Sequence, residues 1–170
     1  MANYRIISQD DHVYEPPDLW TSRIDPKFRD RAPRIVSMDD GEWWYADGIR
    51  AAGAAAGAQV GKRFEDPENL TDVGYFDDVR PGGYIPEEHV KDMEIDGLDV
   101  SIVYPTVGLI LFNQPDGALL TAICKAYNDW VAEFCSPFPK RLKAIAMLNV
   151  DVVEEGVKEL ERCAKMGLIG

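Results

Sequence analysis

From residue 86 onward the sequence repeats one pattern, an amphipathic helix followed by a short apolar β-rich run, and nothing else in the chain constrains the fold as strongly. "PEEHVKDMEIDG" opens with a proline and two acids and closes on Asp-Gly, the start and stop signals of a helix. "LDVSIVYPT" follows with a β-branched body and a proline at its end, as a strand does. "DGALLTAICKAYNDWVAEFCSPFP" places Leu119, Leu120, Ile123, Tyr127, Trp130, Val131 and Phe134 on one broad helical face, with Pro137 as the stop. "RLKAIAMLNV" is the next expected strand. Asp151 is expected to cap the helix "VVEEGVKELERCAKM", Gly167 to end it, and "LIG" to open a further strand. Connections this long cannot be hairpins, so the strands are expected to be parallel and joined by right-handed crossovers.

A parallel sheet that stops inside a strand lacks ladder partners, which reads as truncation. A (β/α)8 TIM barrel needs roughly 250 residues. The 170 residues here are therefore expected to form an α/β fold, the N-terminal half of such a barrel, as a single partial domain over 1–170 with a hairpin and loop insertion over 32–85. Within the insertion, "APRIVSMDDGEWWYADGI" alternates around Asp39-Asp40-Gly41, so "RIVSM" is expected to pair with "EWWYA". Trp43 and Trp44 then lie on opposite faces, marking a subunit interface or a covered arm. "RAAGAAAGAQVGKR", with Gly53, Gly57 and Gly61, reads as a flexible connection, and "FEDPENLTDVGYFDDVRPGGY" as an acidic loop long enough for a cap or lid.

Composition excludes several classes of partner. Eighteen Lys and Arg against thirty Asp and Glu give a formal net charge of −12, with no basic patch, which disfavours nucleic acid and anionic membranes. No run approaches the ~18 apolar residues of a membrane span, and the N-terminus has no signal-peptide pattern. Cys124, Cys135 and Cys163 are odd in number and form no CxxC, as expected of buried thiols in a reducing cytoplasm. Partners are thus expected to be a small-molecule substrate and possible further copies of the chain.

At the N-terminus "YRIIS", over 4–8, reads as a strand feeding the polar segment "QDDHVYEPPDLW", whose double proline turns the chain away. Residues two apart in a strand point the same way, so Asp10 and His12 can share a divalent ion while Asp11 faces elsewhere. Spacing alone leaves a second reading open, in which an aspartate caps the next turn and His12 packs on Trp20. Glu15 is either a first-turn acid or a contact to substrate or to the ligand pair. Tyr104 and Thr106, at the end of the second strand, are candidate pocket residues, and Asn149 ends the third. His89, on a helix, is read as solvated or capping rather than as a ligand.

"IISQDDHVYEPPDLW" resembles the opening of the amidohydrolase-related branch of the amidohydrolase superfamily. "RPGGYIPEEHVKDMEIDGLDVSIVYPTVGL" and "YNDWVAEFCSPFPKRLKAIAMLNV" are similar to its next two landmarks, in the same order. The resemblance implies a metal-dependent TIM barrel, either a hydrolase or a non-oxidative decarboxylase such as aminocarboxymuconate-semialdehyde or resorcylate decarboxylases. It implies Asp10 and His12 as the first two metal ligands, and Glu15, Tyr104 and Thr106 beside a small carboxylated or amide-like substrate. Zinc is the first expectation for the ion and manganese the second. Asp10 replaces the histidine of many members, which favours a harder, oxygen-rich site. The family's remaining ligands and catalytic residues fall beyond Gly170, so this stretch alone is expected to be inactive. The competing expectation is a non-catalytic α/β binding or assembly domain in which the D-x-H motif is vestigial.

Overall fold

In chain order the elements are β1 (Ile7–His12), α1 (Leu19–Arg23), β2 (Arg34–Met38), β3 (Gly41–Ala46), β4 (Ile49–Gly53), α2 (Pro86–Asp96), β5 (Val100–Tyr104), α3 (Val107–Leu111), α4 (Gly117–Cys135), β6 (Leu142–Ala144) and α5 (Val153–Met166). They are drawn from a computed structural model that describes residues 5–55 and 73–170. Gly57, Gly61 and the start of the acidic loop, read above as a connection and a lid, lie outside the described residues.

The two sheets divide the chain by topology. β1, β5 and β6 form a parallel sheet in that order, and β2, β3 and β4 an antiparallel meander. The expected parallel strands and their helical crossovers are present. Leu168–Gly170 extends the sheet: the Ile169 amide donates to the Ala144 carbonyl at 3.0 Å, and the Ala146 amide to the Gly170 carbonyl at 2.8 Å.

Four features differ from the sequence reading, one being that the strand expected over "RLKAIAMLNV" is confined to Leu142–Ala144. The first strand begins at Ile7 and runs through His12 rather than ending at Ser8. Aspartates have poor strand propensity, but pairing Asp11 with Val103 and His12 with Tyr104 on the well-formed β5 outweighs it. The segment after Ile49 is strand β4, not a loose connection. Its turn is the two-residue Asp47-Gly48 loop, with φ +53° and +74°, the conformation a tight hairpin requires and Gly adopts without cost. Asp151 does not cap α5: its cap residue is Val152, with no side-chain cap bond, while the Asp151 amide donates to Asn149 Oδ1.

The core lies between the parallel sheet and α4, whose expected apolar face is buried throughout. Trp20 from α1 and Trp44 from β3, both fully buried, meet edge to face at 5.5 Å, and Trp20 Nε1 donates to the Ile123 carbonyl. The meander is therefore packed onto the helical layer. Arg31 adds a second attachment, with two bonds to Asp47 and one to Asp116, the N-cap residue of α4. Among the described residues no helix is long and apolar enough to cross a membrane.

Asn128 of α4 fixes the chain beyond β6. It is fully buried, its amide donates to the Met147 carbonyl at 2.9 Å, and its carbonyl accepts from the Met147 amide at 2.8 Å. Asn128→Ala removes the partners of both the amide and the carbonyl of buried Met147 and should cost about 2–3 kcal/mol, read as a lower urea midpoint. An unchanged midpoint would mean that this brace contributes nothing to stability.

Candidate metal-binding site at the strand tips

β1 and β5 end side by side, and the polar residues of "QDDHVYE" separate there by direction. Asp10 and His12 project together, with Asp10 Oδ1 and His12 Nε2 3.7 Å apart. Their side chains are 81% and 41% exposed, so an ion can reach both. Asp11 lines a cleft of about 240 Å³ between β1 and α2, together with His12, Tyr14, Arg80, His89 and Asp92. His12 alone connects that cleft to the pair. The ladder register shifts between Ser8 and Asp11, an irregularity of the kind that re-aims side chains near sites.

The imidazole of His12 is held from behind. Nδ1 lies 2.9 Å from the Pro105 carbonyl oxygen, which can only accept, so Nδ1 donates, and in the neutral ring the lone pair is on Nε2, on the Asp10 side. Thr106 Oγ1 stands 3.3 Å from the same nitrogen, and its own proton goes to the Val13 carbonyl at 2.7 Å. Metal-ligating histidines are typically arranged this way, with one nitrogen donating to a carbonyl and the other left for the ion. Two ligands about 2.1 Å from one ion at the tetrahedral angle stand roughly 3.4 Å apart, close to the observed spacing. Tyr104 sits beside the histidine, ring centroids 6.1 Å apart at 35°.

Glu15 occupies a different environment. It is completely buried, and its carboxylate accepts from three successive amides at the start of α3: Thr106 at 3.3 Å, Val107 at 2.9 Å and Gly108 at 2.9 Å. Burial raises its pKa from 4.5 to about 7, against the lowering effect of those amides. The Gly108 position has no room for a side chain: a Cβ there would stand 2.5 Å from Met147 Sδ and 2.7 Å from Pro105 Cβ. Sequence reasoning missed both α3 and the Pro105 carbonyl, because backbone groups leave no residue-type signature.

The other candidates are engaged structurally. Asn149 lies beyond β6 rather than at its end; it donates to the Gly117 carbonyl and Thr121 Oγ1 and accepts from the Asp151 amide, which ties the chain after the strand to α4. His89 is neither solvated nor a cap. It is buried, with Nδ1 against the Gly82 carbonyl and Nε2 3.1 Å from Ser101 Oγ, and Phe134 packs edge-on to its ring. His89 precedes Val90 by one residue and Met93 by four, and all three face inward, so helical spacing carried that signal. Trp20 packs on Trp44 rather than on His12. Cys124 and Cys163 are buried and Cys135 partly so, all three as free thiols, and burial pushes each up to about 12.

Chemically, the tips offer one imidazole nitrogen and one carboxylate oxygen at a spacing suited to a shared divalent ion. No third His, Cys, Asp or Glu joins them among the described residues. The donors fit one side of such an ion and leave its other positions open.

No protein-family model and no curated protein matches the chain. Solved structures do. An amidohydrolase from Mycobacterium avium subsp. paratuberculosis K-10 is similar at TM-score 0.75 and 21% identity, covering 99% of this chain and 49% of that one. The 2,6-dihydroxybenzoate decarboxylase from Rhizobium matches at TM-score 0.53 and 18% identity, over 98% of this chain and 37% of that one. A dihydroxybenzoic acid decarboxylase from Polaromonas sp. JS666, solved with bound manganese and 2-nitroresorcinol, matches at TM-score 0.52 and 17% identity, over 98% and 37%. The chain spans about half the length of the first and less of the others. The described residues share the fold of about half of the first of these structures, and their parallel sheet with helical crossovers is the α/β architecture that the sequence predicts.

Proposed function

We propose that the chain is the N-terminal portion of a metal-dependent enzyme of the amidohydrolase type, acting on a small carboxylated or amide-like substrate by hydrolysis or non-oxidative decarboxylation. One observation carries the proposal: Asp10 and His12 converge at the C-terminal tip of a parallel strand, with His12 Nδ1 against the Pro105 carbonyl and Nε2 turned toward Asp10. Enzymes of this fold place their chemistry at that end of the strands. The manganese in the Polaromonas decarboxylase supports a divalent ion, with zinc the alternative.

In this reading Asp10 and His12 hold the ion, and further ligands come from outside the described residues. A divalent ion supplies Lewis acidity toward a carbonyl or carboxylate, or an activated water. Asp10 contributes negative charge, and the Pro105 carbonyl keeps the His12 ring in its binding tautomer. Tyr104 stands beside the His12 ring and Thr106 at its Nδ1, and in this reading both belong to the substrate pocket.

Titration of the chain with Zn2+ and Mn2+ tests this by calorimetry. Binding is expected to be weak, with one ion per chain, and to disappear in both Asp10→Ala and His12→Ala. Binding unaffected by either substitution contradicts the proposal. Absence of binding in the unsubstituted chain favours a plain Asp10–His12 ion pair and a non-catalytic binding or assembly domain.

A further inference from the structure

Glu15 and His12 do not touch, yet one short turn joins them. Glu15 holds the amides of Thr106, Val107 and Gly108. The two residues at the front of that turn, Pro105 and Thr106, present the carbonyl and hydroxyl that face His12 Nδ1. The turn is tightly seated, since at Gly108 even a Cβ would press on Met147 Sδ, Pro105 Cβ and Glu15 Oε1. Displacing the amides from the carboxylate therefore displaces the Pro105 carbonyl from the imidazole.

We infer that Glu15 is a positioning residue for His12: by gripping the 106–108 amides it sets the Pro105 carbonyl, and through it the ring orientation and tautomer that leave Nε2 free. Glu15 then acts from beneath the site and not as a contact to substrate, for which its complete burial leaves no surface. The inference gives the proposed metal site its orienting device and rests on that reading for its functional meaning. Three acceptor contacts are needed at once, and a carboxylate supplies them all. A glutamine of the same shape offers one acceptor oxygen and turns its NH2 toward a donor.

The chain has only two histidines, which makes the test direct. With 15N-labelled histidine and no metal, at pH 8, His12 should report Nδ1–H. In Glu15→Gln it should change to predominantly Nε2–H, the form free imidazole prefers, while buried His89 keeps its signals. Gly108→Ala, which disturbs the turn while retaining the Glu15 side chain, should change His12 in the same direction. Asp116→Ala, which loosens the α4 cap elsewhere, should leave His12 as it was. An unchanged His12 in Glu15→Gln overturns the inference, as does an equal change at His89, which would signify general loosening. Because no metal is present, a failure here is separate from a failure of metal binding by Asp10 and His12.

Discussion

Glu15→Ala is expected to destabilise the fold by about 3–5 kcal/mol, measured as the loss of unfolding free energy in urea at pH 7. The cost has two sources. Truncation opens a cavity beneath the strand tips, where Glu15 is among the largest fully buried side chains. It also strips the acceptor from three amides, two of which, Val107 and Gly108, it holds at 2.9 Å. An effect below about 1 kcal/mol, typical of surface substitutions, would show that water replaces the carboxylate at no loss.

The same residue should make stability depend on pH in the direction opposite to most native carboxylates. Burial raises Glu15 from 4.5 to about 7, so between those values the folded chain holds a proton that the unfolded chain has released. Stability therefore falls as pH rises. The contribution is complete below about pH 4.5 and lost on passing through about pH 7, roughly 3 kcal/mol in all. Asp47, Asp92, Asp116 and Glu133 are held below their ordinary values by arginine partners, so their opposite slope lies at lower pH. Unfolding curves from pH 4.5 to 8 for the parent chain and Glu15→Gln isolate the effect, because the substitution removes the titrating carboxyl. The decline should be present in the parent and absent in the variant. Parallel curves would contradict it.

How far the sequence reveals this molecule depends on the type of signal. Helices α2, α4 and α5 were legible because an apolar face recurs at helical spacing and Pro86, Gly97 and Gly167 mark ends. β5 was legible from its β-branched run. β1 was misplaced because Gln9, Asp10 and Asp11 form a strand only by pairing with β5, some ninety residues away. β4 hid in alanine and glycine, although the Asp47-Gly48 dipeptide announced its turn. At the site, period-two geometry anticipated the approach of Asp10 to His12, although His12 also lines the Asp11 cleft. The burial of Glu15 and its grip on the 106–108 amides were illegible, because they join segments distant in sequence through backbone groups.

These features converge on one claim, that Asp10 and His12 form one side of a divalent metal site with a preset imidazole. Adding Mn2+ to the chain labelled with 15N-histidine tests it most directly, since a bound paramagnetic ion broadens only nearby nuclei. At less than one equivalent of Mn2+, the His12 ring signals should broaden beyond detection while those of buried His89 remain, and Asp10→Ala should restore the His12 signals. Equal broadening at both histidines, or none at His12 with excess Mn2+, would contradict the account.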